Sequence, residues 1–342
     1  MDSLSQIVLG AAVGELTLGR KIGNKAQLIG AIAGTIPDLD IFLNPLFSDS
    51  ITKLQIHRGH SHSMFIHLLL ALPFTWLTYR IFKRKISFGR WYLLWVLGFI
   101  THTLLDCCTT YGTQLFLPFT NHLVGFNNIA VIDPFWTLPF MFMLIICMFM
   151  RRENPKRMKL AIAACTYSML YMIYTLFNKY NVHEQFNAEL QRQQIRHETL
   201  YTSPSMFNNW LWSGIVVNND SIRFGEYSTL QDQSEVKWVS YPRNLHLLEN
   251  HPAKHEIEVL QWFSQGKYFV MESNGELHFF LGKWGRPDFT KSDVYEAFPF
   301  YWRIFQEDGK WKAEEYQAQF GKEEFTEAWN ALWKRVRTSE GF

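Results

Sequence analysis

The chain has 342 residues, of which 48% are hydrophobic, and a formal net charge of +2. This length leaves room for two domains. The small net charge identifies no class of partner, and we predict no nucleic-acid partner. The four cysteines, Cys107, Cys108, Cys147 and Cys165, lie in or beside apolar segments, which argues against a disulfide framework. We expect no secretory signal peptide, because the first apolar run lacks a preceding basic region and a small-residue cleavage site.

Two regions of different hydropathy make up the chain. The mean hydropathy of −0.10 is an average over both. Residues up to 180 contain long aliphatic and aromatic runs, whereas residues from 181 onward are polar and mixed in charge. We therefore predict an α-helical membrane domain over residues 1–180 and a soluble α+β domain over residues 181–342.

The membrane domain is predicted to contain about five apolar helices. The first two apolar runs are short for a span of about 20 residues. Their many glycines and alanines nevertheless suit close helix packing inside a membrane. Trp91, Tyr92 and Trp95 lie where aromatic side chains anchor a helix at the membrane interface. The apolar runs cover residues 4–18, 28–36, 64–82, 91–105, 135–150 and 160–177.

Three basic loops separate these runs, at residues 20–25, 83–90 and 151–159. Basic loops favour the cytoplasmic side of a membrane. With all three loops in the cytoplasm, the other ends of the helices share the outer face. Everything after Asn178 then lies outside the cytoplasm. We predict an integral protein of a bacterial inner (plasma) membrane with an extracytoplasmic C-terminal domain.

The soluble domain is predicted to mix short strands with helices. Turn residues at 218–220 and 273–275 separate apolar runs of strand length. A polar pattern over residues 181–197 and amphipathic patterns over residues 256–263 and 322–337 predict helices. The predicted strands lie at residues 215–217, 222–224, 236–239, 268–271 and 277–280.

Carboxylates and imidazoles lie at the predicted outer ends of the apolar helices. His102 and Asp106 are four residues apart, which places both on one helix face, one turn apart. They could pair to hide polarity within a helix bundle. Buried ionisable groups in a membrane are costly, however, and often functional. The sequence alone leaves both interpretations open.

Two loops carry the remaining polar candidates. Asp38 and Asp40 follow Pro37, so they could converge on one cation, or one could cap a helix. His57 and His62 flank Gly59 in the segment at residues 57–63. This segment could be a solvated loop in which a serine caps the next helix. Carboxylates and imidazoles are also the usual ligands of zinc and similar divalent metals.

Over residues 1–180 the chain resembles the predicted membrane-bound metal-dependent hydrolases of the YdjM type. Gln6 departs from the pattern, because many members have histidine there. Ser61 stands where threonine is usual, and His60 occupies a variable position, so we rank His60 below His57 and His62. The residues that match the family pattern are Pro37, Asp38, Asp40, His57, Arg58, Gly59, His62, Ser63, His102, Asp106, Thr109 and Gly112.

The resemblance implies a metal centre. One or two divalent ions, with zinc fitting best and manganese or iron as alternatives, would lower the pKa of bound water. The resulting hydroxide would attack a phosphoryl or acyl centre. We predict Arg58 and Asp38 as catalytic residues. Arg58 could instead form a salt bridge to Asp38 or Asp40. The implied metal ligands are Asp38, Asp40, His57, His62, His102 and Asp106.

We therefore expect a hydrolase that cleaves a phosphoester or other ester bond of a lipid or amphiphile at the outer membrane face. A more remote similarity to zinc-dependent phospholipase C, which shares the His-x-x-x-Asp helix, favours phosphoester chemistry by analogy. A metal-binding transporter is one alternative, although few polar residues interrupt residues 65–82 and 135–150. A non-catalytic envelope scaffold that anchors the soluble domain is another.

Overall fold

The computed structural model describes residues 1–231, 235–289, 291–317 and 322–338. The chain divides into two compact units. A helical unit comprises Met1–Leu46, Gln55–Leu176 and Met206–Asn208. A sheet unit comprises Phe47–Leu54, Phe177–Ser205 and Asn209–Phe342.

Seven α-helices and two 3-10 helices form the sequence of elements up to the first strand. Asp2 caps α1, Ser63 caps α4 and Asp133 caps α6, in each case by accepting a backbone N–H of the first turn. The helices are α1 (Ser3–Ile22), α2 (Asn24–Thr35), a 3-10 helix (Ile36–Leu46), α3 (Ser50–Ile56), a short 3-10 helix (His60–His62), α4 (Met64–Ile81), α5 (Phe88–Cys107), α6 (Pro134–Met148) and α7 (Pro155–Arg192).

Within the described residues, three helical stretches are long and apolar enough to cross a membrane: Asn24–Leu46, Met64–Ile81 and Pro155–Arg192. Helix α6 is apolar but shorter. The N-terminal part is thus a helical region with candidate membrane spans. The predicted number of about five apolar helices is not confirmed.

Helices α1 and α2 approach each other through glycines. A Cβ atom built on Gly30 would lie 2.1 Å from the carbonyl oxygen of Gly10. The same Cβ would lie 2.7 Å from the backbone nitrogen of Gly14. Only a residue without a side chain permits this contact, so the small residues of the first two apolar runs set the distance between the two helices.

A buried ion pair joins α1 to α7. Arg157 donates to both carboxylate oxygens of Glu15, at 2.7 Å and 2.6 Å. Gln27 on α2 donates to the same carboxylate at 2.9 Å. All three side chains are buried. The charges are therefore compensated, as burial within an apolar bundle requires.

The sheet unit contains two antiparallel sheets, each with its strands in sequence order. The first follows α7, and the second follows α8 (Lys254–Ser264). Helix α9 (Val294–Ala297) precedes β7, and α10 (Lys322–Arg337) follows β8. The strands are β1 (Thr199–Pro204), β2 (Leu211–Val217), β3 (Ser221–Ser228), β4 (Val239–Pro242), β5 (Tyr268–Ser273), β6 (Glu276–Leu281), β7 (Phe300–Glu307) and β8 (Lys310–Gln317).

The predicted α+β character of the soluble domain is confirmed. The strands predicted at residues 215–217, 222–224, 268–271 and 277–280 lie in β2, β3, β5 and β6. The helix predicted at 322–337 has the bounds of α10. The helix predicted at 181–197 is instead the continuation of α7. Of the strand predicted at 236–239, only Val239 belongs to β4.

Candidate metal centre

Three segments of the helical unit position the candidate site. The 3-10 helix Ile36–Leu46 continues directly from α2 and carries Asp38 and Asp40. The segment at residues 57–63 precedes α4 and carries His57 and His62. Helix α5 carries His102 and Asp106 one turn apart.

Four of the six predicted ligands meet at one point. The donor atoms of Asp38, His62, His102 and Asp106 all lie within 4.8 Å of one another. The Nε2 atom of His62 is 3.3 Å from Asp38 Oδ1 and 3.1 Å from Asp106 Oδ2. It is also 3.2 Å from Nε2 of His102. The side chains of His62, His102 and Asp106 are fully buried, whereas that of Asp38 is 22% exposed, so the cluster opens on the side of Asp38.

The hydrogen bonds around His102 indicate where its proton lies. Its Nδ1 atom is 2.6 Å from the carbonyl oxygen of Gly34. Because a carbonyl oxygen only accepts, Nδ1 must carry the proton. In the neutral ring, Nε2 then presents a lone pair to the cluster. This is how a histidine is normally held when its other nitrogen binds a metal.

The carboxylates of the cluster also favour a cation. Asp106 Oδ2 is buried and, within the described residues, accepts no hydrogen bond of good geometry. Arg58 Nε lies 3.3 Å from this oxygen and compensates part of the cost of its burial, and a divalent ion would give the oxygen the direct partner that it lacks. Two imidazole nitrogens with two carboxylates form a ligand set that suits zinc, and also manganese or iron. The residues present therefore fit a divalent metal ion.

Asp40 and His57 pair with each other beside this cluster. His57 Nδ1 is 3.0 Å from Asp40 Oδ1. The nearest approach of Asp40 to a cluster residue is 3.8 Å, from its Oδ2 to Nδ1 of His62. His60, ranked lower by its position in the motif, is exposed. The structure thus places Asp40 and His57 next to the four converging residues but not among them.

Arg58 is buried against Asp106. Its Nε atom is 3.3 Å from Asp106 Oδ2, and its guanidinium lies 4.7 Å from the ring centroid of Tyr111. The backbone of Arg58 has a φ of 56°, in the left-handed region that non-glycine residues rarely adopt. A hydrogen bond of 2.9 Å from its N–H to Asp40 holds it there. A salt bridge was one of the two roles expected for Arg58, but its partner is Asp106.

Comparison with known sequences identifies the family of this chain. A model of the YdjM inner membrane protein family matches residues 1–182. The chain belongs to that family. It is also 26% identical to the uncharacterized protein YfhP of Bacillus subtilis (strain 168) over 218 residues, which cover 61% of this chain and 64% of that relative. The match thus spans less than two thirds of the relative's length. No solved structure matches the chain.

Membership of the YdjM inner membrane protein family and the three apolar helical stretches together identify a membrane protein. In this member of the YdjM family, Gln6 replaces the expected histidine. Its side-chain nitrogen donates to Asp106 Oδ1 at 3.0 Å and to the carbonyl oxygen of His102 at 3.2 Å. The amino group of Met1 also contacts Asp106. Gln6 therefore orients one cluster residue through a hydrogen bond.

Two further residues contact the candidate metal centre and were not predicted as part of it. Ser61 hydrogen-bonds to Asp40 and to His62 through its hydroxyl group. His67, on α4, has its Nε2 atom 2.7 Å from the carbonyl oxygen of Ser61. The family pattern placed a hydroxyl group at Ser61 without assigning it a role, and no role in the site was predicted for His67. The hydroxyl-bearing position of the motif was the available signal for Ser61.

Proposed function

We propose that this protein is a membrane-embedded, metal-dependent hydrolase that cleaves a phosphoester or other ester bond of a lipid or amphiphile. The observation that carries this proposal is the convergence of Asp38, His62, His102 and Asp106. Buried side chains that turn two imidazole nitrogens and two carboxylates toward one point are typical of metal sites.

In the proposed placement the apolar helices cross the membrane in three pairs, each pair joined by one basic loop, and the site lies at the outer face. Helices α1 and α5 each contain 20 residues. At 1.5 Å per residue, such a helix is about 30 Å long, which matches the hydrocarbon thickness of a bilayer. The basic loops at residues 20–25, 83–90 and 151–159 favour cytoplasmic ends opposite the metal cluster. On this topology, the sheet unit is extracytoplasmic.

Exposed apolar side chains on or near the elements that carry the site support an amphiphilic substrate. Phe42 and Leu46, on the same 3-10 helix as Asp38, are 72% and 75% exposed. Phe119 is 76% exposed, and its ring lies 4.9 Å from that of Phe65, at the start of α4. A polar cluster bordered by exposed apolar groups suits a molecule with a polar head and an apolar chain.

The chemistry divides between the ion and the chain. A bound divalent ion would supply Lewis-acid polarisation of a phosphoryl or acyl oxygen and a more acidic water. Asp38, on the open side of the cluster, would border the substrate. Arg58 adds a positive charge next to Asp106 and would stabilise negative charge that develops on the substrate. The buried walls around His62 and His102 would exclude bulk water.

Metal analysis with a hydrolysis screen tests the proposal. Detergent-solubilised protein should contain a divalent metal and release product from phospholipids or model phosphoesters. His102→Ala should lose both properties, because His102 is a buried member of the cluster. His60→Ala is the matched control, since His60 is exposed and should leave both unchanged. Full metal retention in His102→Ala and Asp106→Ala would refute the metal site. Bound metal without any hydrolysis would favour a non-catalytic metal-binding protein.

A further inference from the structure

Asp40 receives three hydrogen-bond donors from one short segment. Its Oδ1 faces Nδ1 of His57 at 3.0 Å. Its Oδ2 accepts from the backbone N–H of Arg58 at 2.9 Å and from the hydroxyl of Ser61 at 2.7 Å. The carboxylate is buried. Its hydrogen-bonding capacity is therefore directed toward the segment at residues 57–63 and away from the four converging donor atoms.

Ser61 links this carboxylate to the metal cluster. Its hydroxyl oxygen lies 2.7 Å from Asp40 Oδ2 and 2.8 Å from Nδ1 of His62. A carboxylate only accepts hydrogen bonds, so the hydroxyl proton points toward Asp40. The hydroxyl oxygen is then the acceptor for a proton on Nδ1 of His62. Nε2 of His62 is left with its lone pair, and it faces Asp38 and Asp106 at 3.3 Å and 3.1 Å.

The two histidines of the cluster are thus held by different groups, and in both rings the proton lies on Nδ1 and the lone pair on Nε2. His102 is held by the carbonyl oxygen of Gly34, which only accepts. His62 is held by a hydroxyl group, which can donate or accept, so its orientation depends on a further residue. Asp40 is the residue that decides it. His67 fixes the position of Ser61 from the other side, through the backbone oxygen of Ser61 at 2.7 Å.

We propose that Asp40 and Ser61 are positioning residues of the metal centre. They keep the proton of His62 on Nδ1, so that Nε2 can bind the divalent ion, and Asp40 itself does not bind it. This inference rests on the proposed metal site. Outer-shell partners of metal ligands typically contribute a factor of about 10 to 100 in affinity, and that is the effect expected here.

Cobalt(II) binding to the full-length protein in detergent tests the inference. The affinity is measured by competition with a chelator, and the ligand geometry by the visible absorption of bound cobalt. Ser61→Ala should bind Co²⁺ about 10-fold more weakly or worse, with unchanged stoichiometry. Ser61→Thr keeps the hydroxyl and should restore the affinity. Asp40→Asn should weaken binding by a similar factor, because the neutral amide oxygen that still faces the Arg58 N–H accepts the Ser61 hydroxyl less strongly than the carboxylate does.

Two reference variants separate positioning from ligation and from folding. His102→Ala removes a ligand and should abolish binding and the cobalt absorption band. Ser63→Ala removes a hydroxyl that caps α4 and donates to the carbonyl oxygen of Leu117, and among the described residues no hydrogen bond joins it to His62. This variant should lower thermal stability but leave the affinity within about threefold. A Ser61→Ala affinity equal to that of Ser63→Ala overturns the inference.

The remaining outcomes distinguish the inference from the proposed function. Loss of all binding in Asp40→Asn, with the correct fold, would make Asp40 a ligand and overturn the inference alone. Cobalt binding with the expected pattern but without hydrolysis would overturn the proposed function alone. An unmutated protein that binds no Co²⁺ would overturn both.

Discussion

Substitution of Gly30 tests whether close packing of α1 and α2 supports the metal centre. In Gly30→Ala, the new methyl group would lie 2.1 Å from the carbonyl oxygen of Gly10. Ordinary van der Waals contact begins at 3.4 Å, so the helices would have to separate locally by about 1.3 Å. The carbonyl oxygen of Gly10 and the nitrogen of Gly14, which the methyl group would meet, are backbone atoms and cannot rotate away as a flexible side chain could.

The expected cost follows from two opposing effects. Alanine gains up to about 1 kcal/mol over glycine in a helix. Overpacking of a close contact costs about 1–3 kcal/mol. The overpacking exceeds the helix propensity, so the free energy of unfolding should fall. Separation of the helices would also move Gly34, whose carbonyl oxygen accepts from His102 at 2.6 Å. A shift of about 1.3 Å would take this contact beyond hydrogen-bonding distance, so metal affinity should fall as well.

Thermal unfolding in detergent and Co²⁺ affinity measure the two effects together. Gly89→Ala is the matched control, because a Cβ atom on Gly89, near the start of α5, would have nothing within 4 Å. It should leave affinity unchanged and stability equal or slightly higher. If Gly30→Ala matches Gly89→Ala in both measurements, the inferred coupling between helix packing and the site is wrong.

Three further predictions concern stability and topology. Burial raises the pKa of Glu226, which contacts Arg335, from 4.5 to about 7. The protonated form of Glu226 should therefore stabilise the sheet unit fully below pH 4.5, and this stabilisation should be lost as the pH rises through about 7. Glu226→Gln should remove this pH dependence, which is worth at most about 3 kcal/mol in the free energy of unfolding. Hydrogen-exchange protection of β3 at pH 5 and pH 8, corrected for intrinsic exchange rates, measures it. An unchanged pH dependence in the variant would show that Glu226 is not its cause. Arg157→Met should cost about 3–5 kcal/mol, because it leaves the Glu15 charge buried with only the neutral amide of Gln27 as a partner. Combination with Glu15→Leu should recover part of that loss in thermal unfolding, and equal melting of the single and double variants would refute this. A reporter that is active only outside the cytoplasm should be active when it is fused after Phe342. Activity of a cytoplasm-specific reporter at the same position would exclude the proposed topology.

The cluster residues could be predicted because their spacing in the sequence determines which side chains share one face of a helix. A His-x-x-x-Asp pair on a helix faces one direction whatever the surroundings. The division between ligands and outer residues could not be predicted in this way. It depends on the left-handed backbone of Arg58 and on which side of His62 the Asp40 carboxylate reaches. Neither feature is encoded by spacing alone.

Helix α7 shows how burial overrides a polar composition. The change of composition near Asn178 predicted a break between two helices, whereas the helix continues to Arg192. Beyond the break point, Val182, Phe186 and Leu190 recur every four residues and pack together in the core of the sheet unit. This helical periodicity was present in the sequence, but the surrounding charged residues obscured it.

The strands β7 and β8 were not predicted, although their turn carries a recognisable signal. Asp308 and Gly309 join the two strands, and both adopt positive φ, at 51° and 73°. An Asp-Gly pair is favoured in tight hairpins because both residues accept this conformation. Strand β8 is largely exposed and rich in charged residues, so hydrophobic alternation gave no indication of it.

The candidate metal centre depends on helix packing more than on the loop that carries His62. His102 is oriented by α2 through Gly34, and Asp106 by α1 through Gln6. His62 is instead oriented by Ser61 of its own segment, which Asp40 on the preceding 3-10 helix holds in turn. Substitutions in α1 or α2 should therefore disturb two ligands at once, whereas substitutions of Ser61 should disturb one. Gly30→Ala should therefore lower metal affinity more than Ser61→Ala does, although neither residue is itself a predicted ligand.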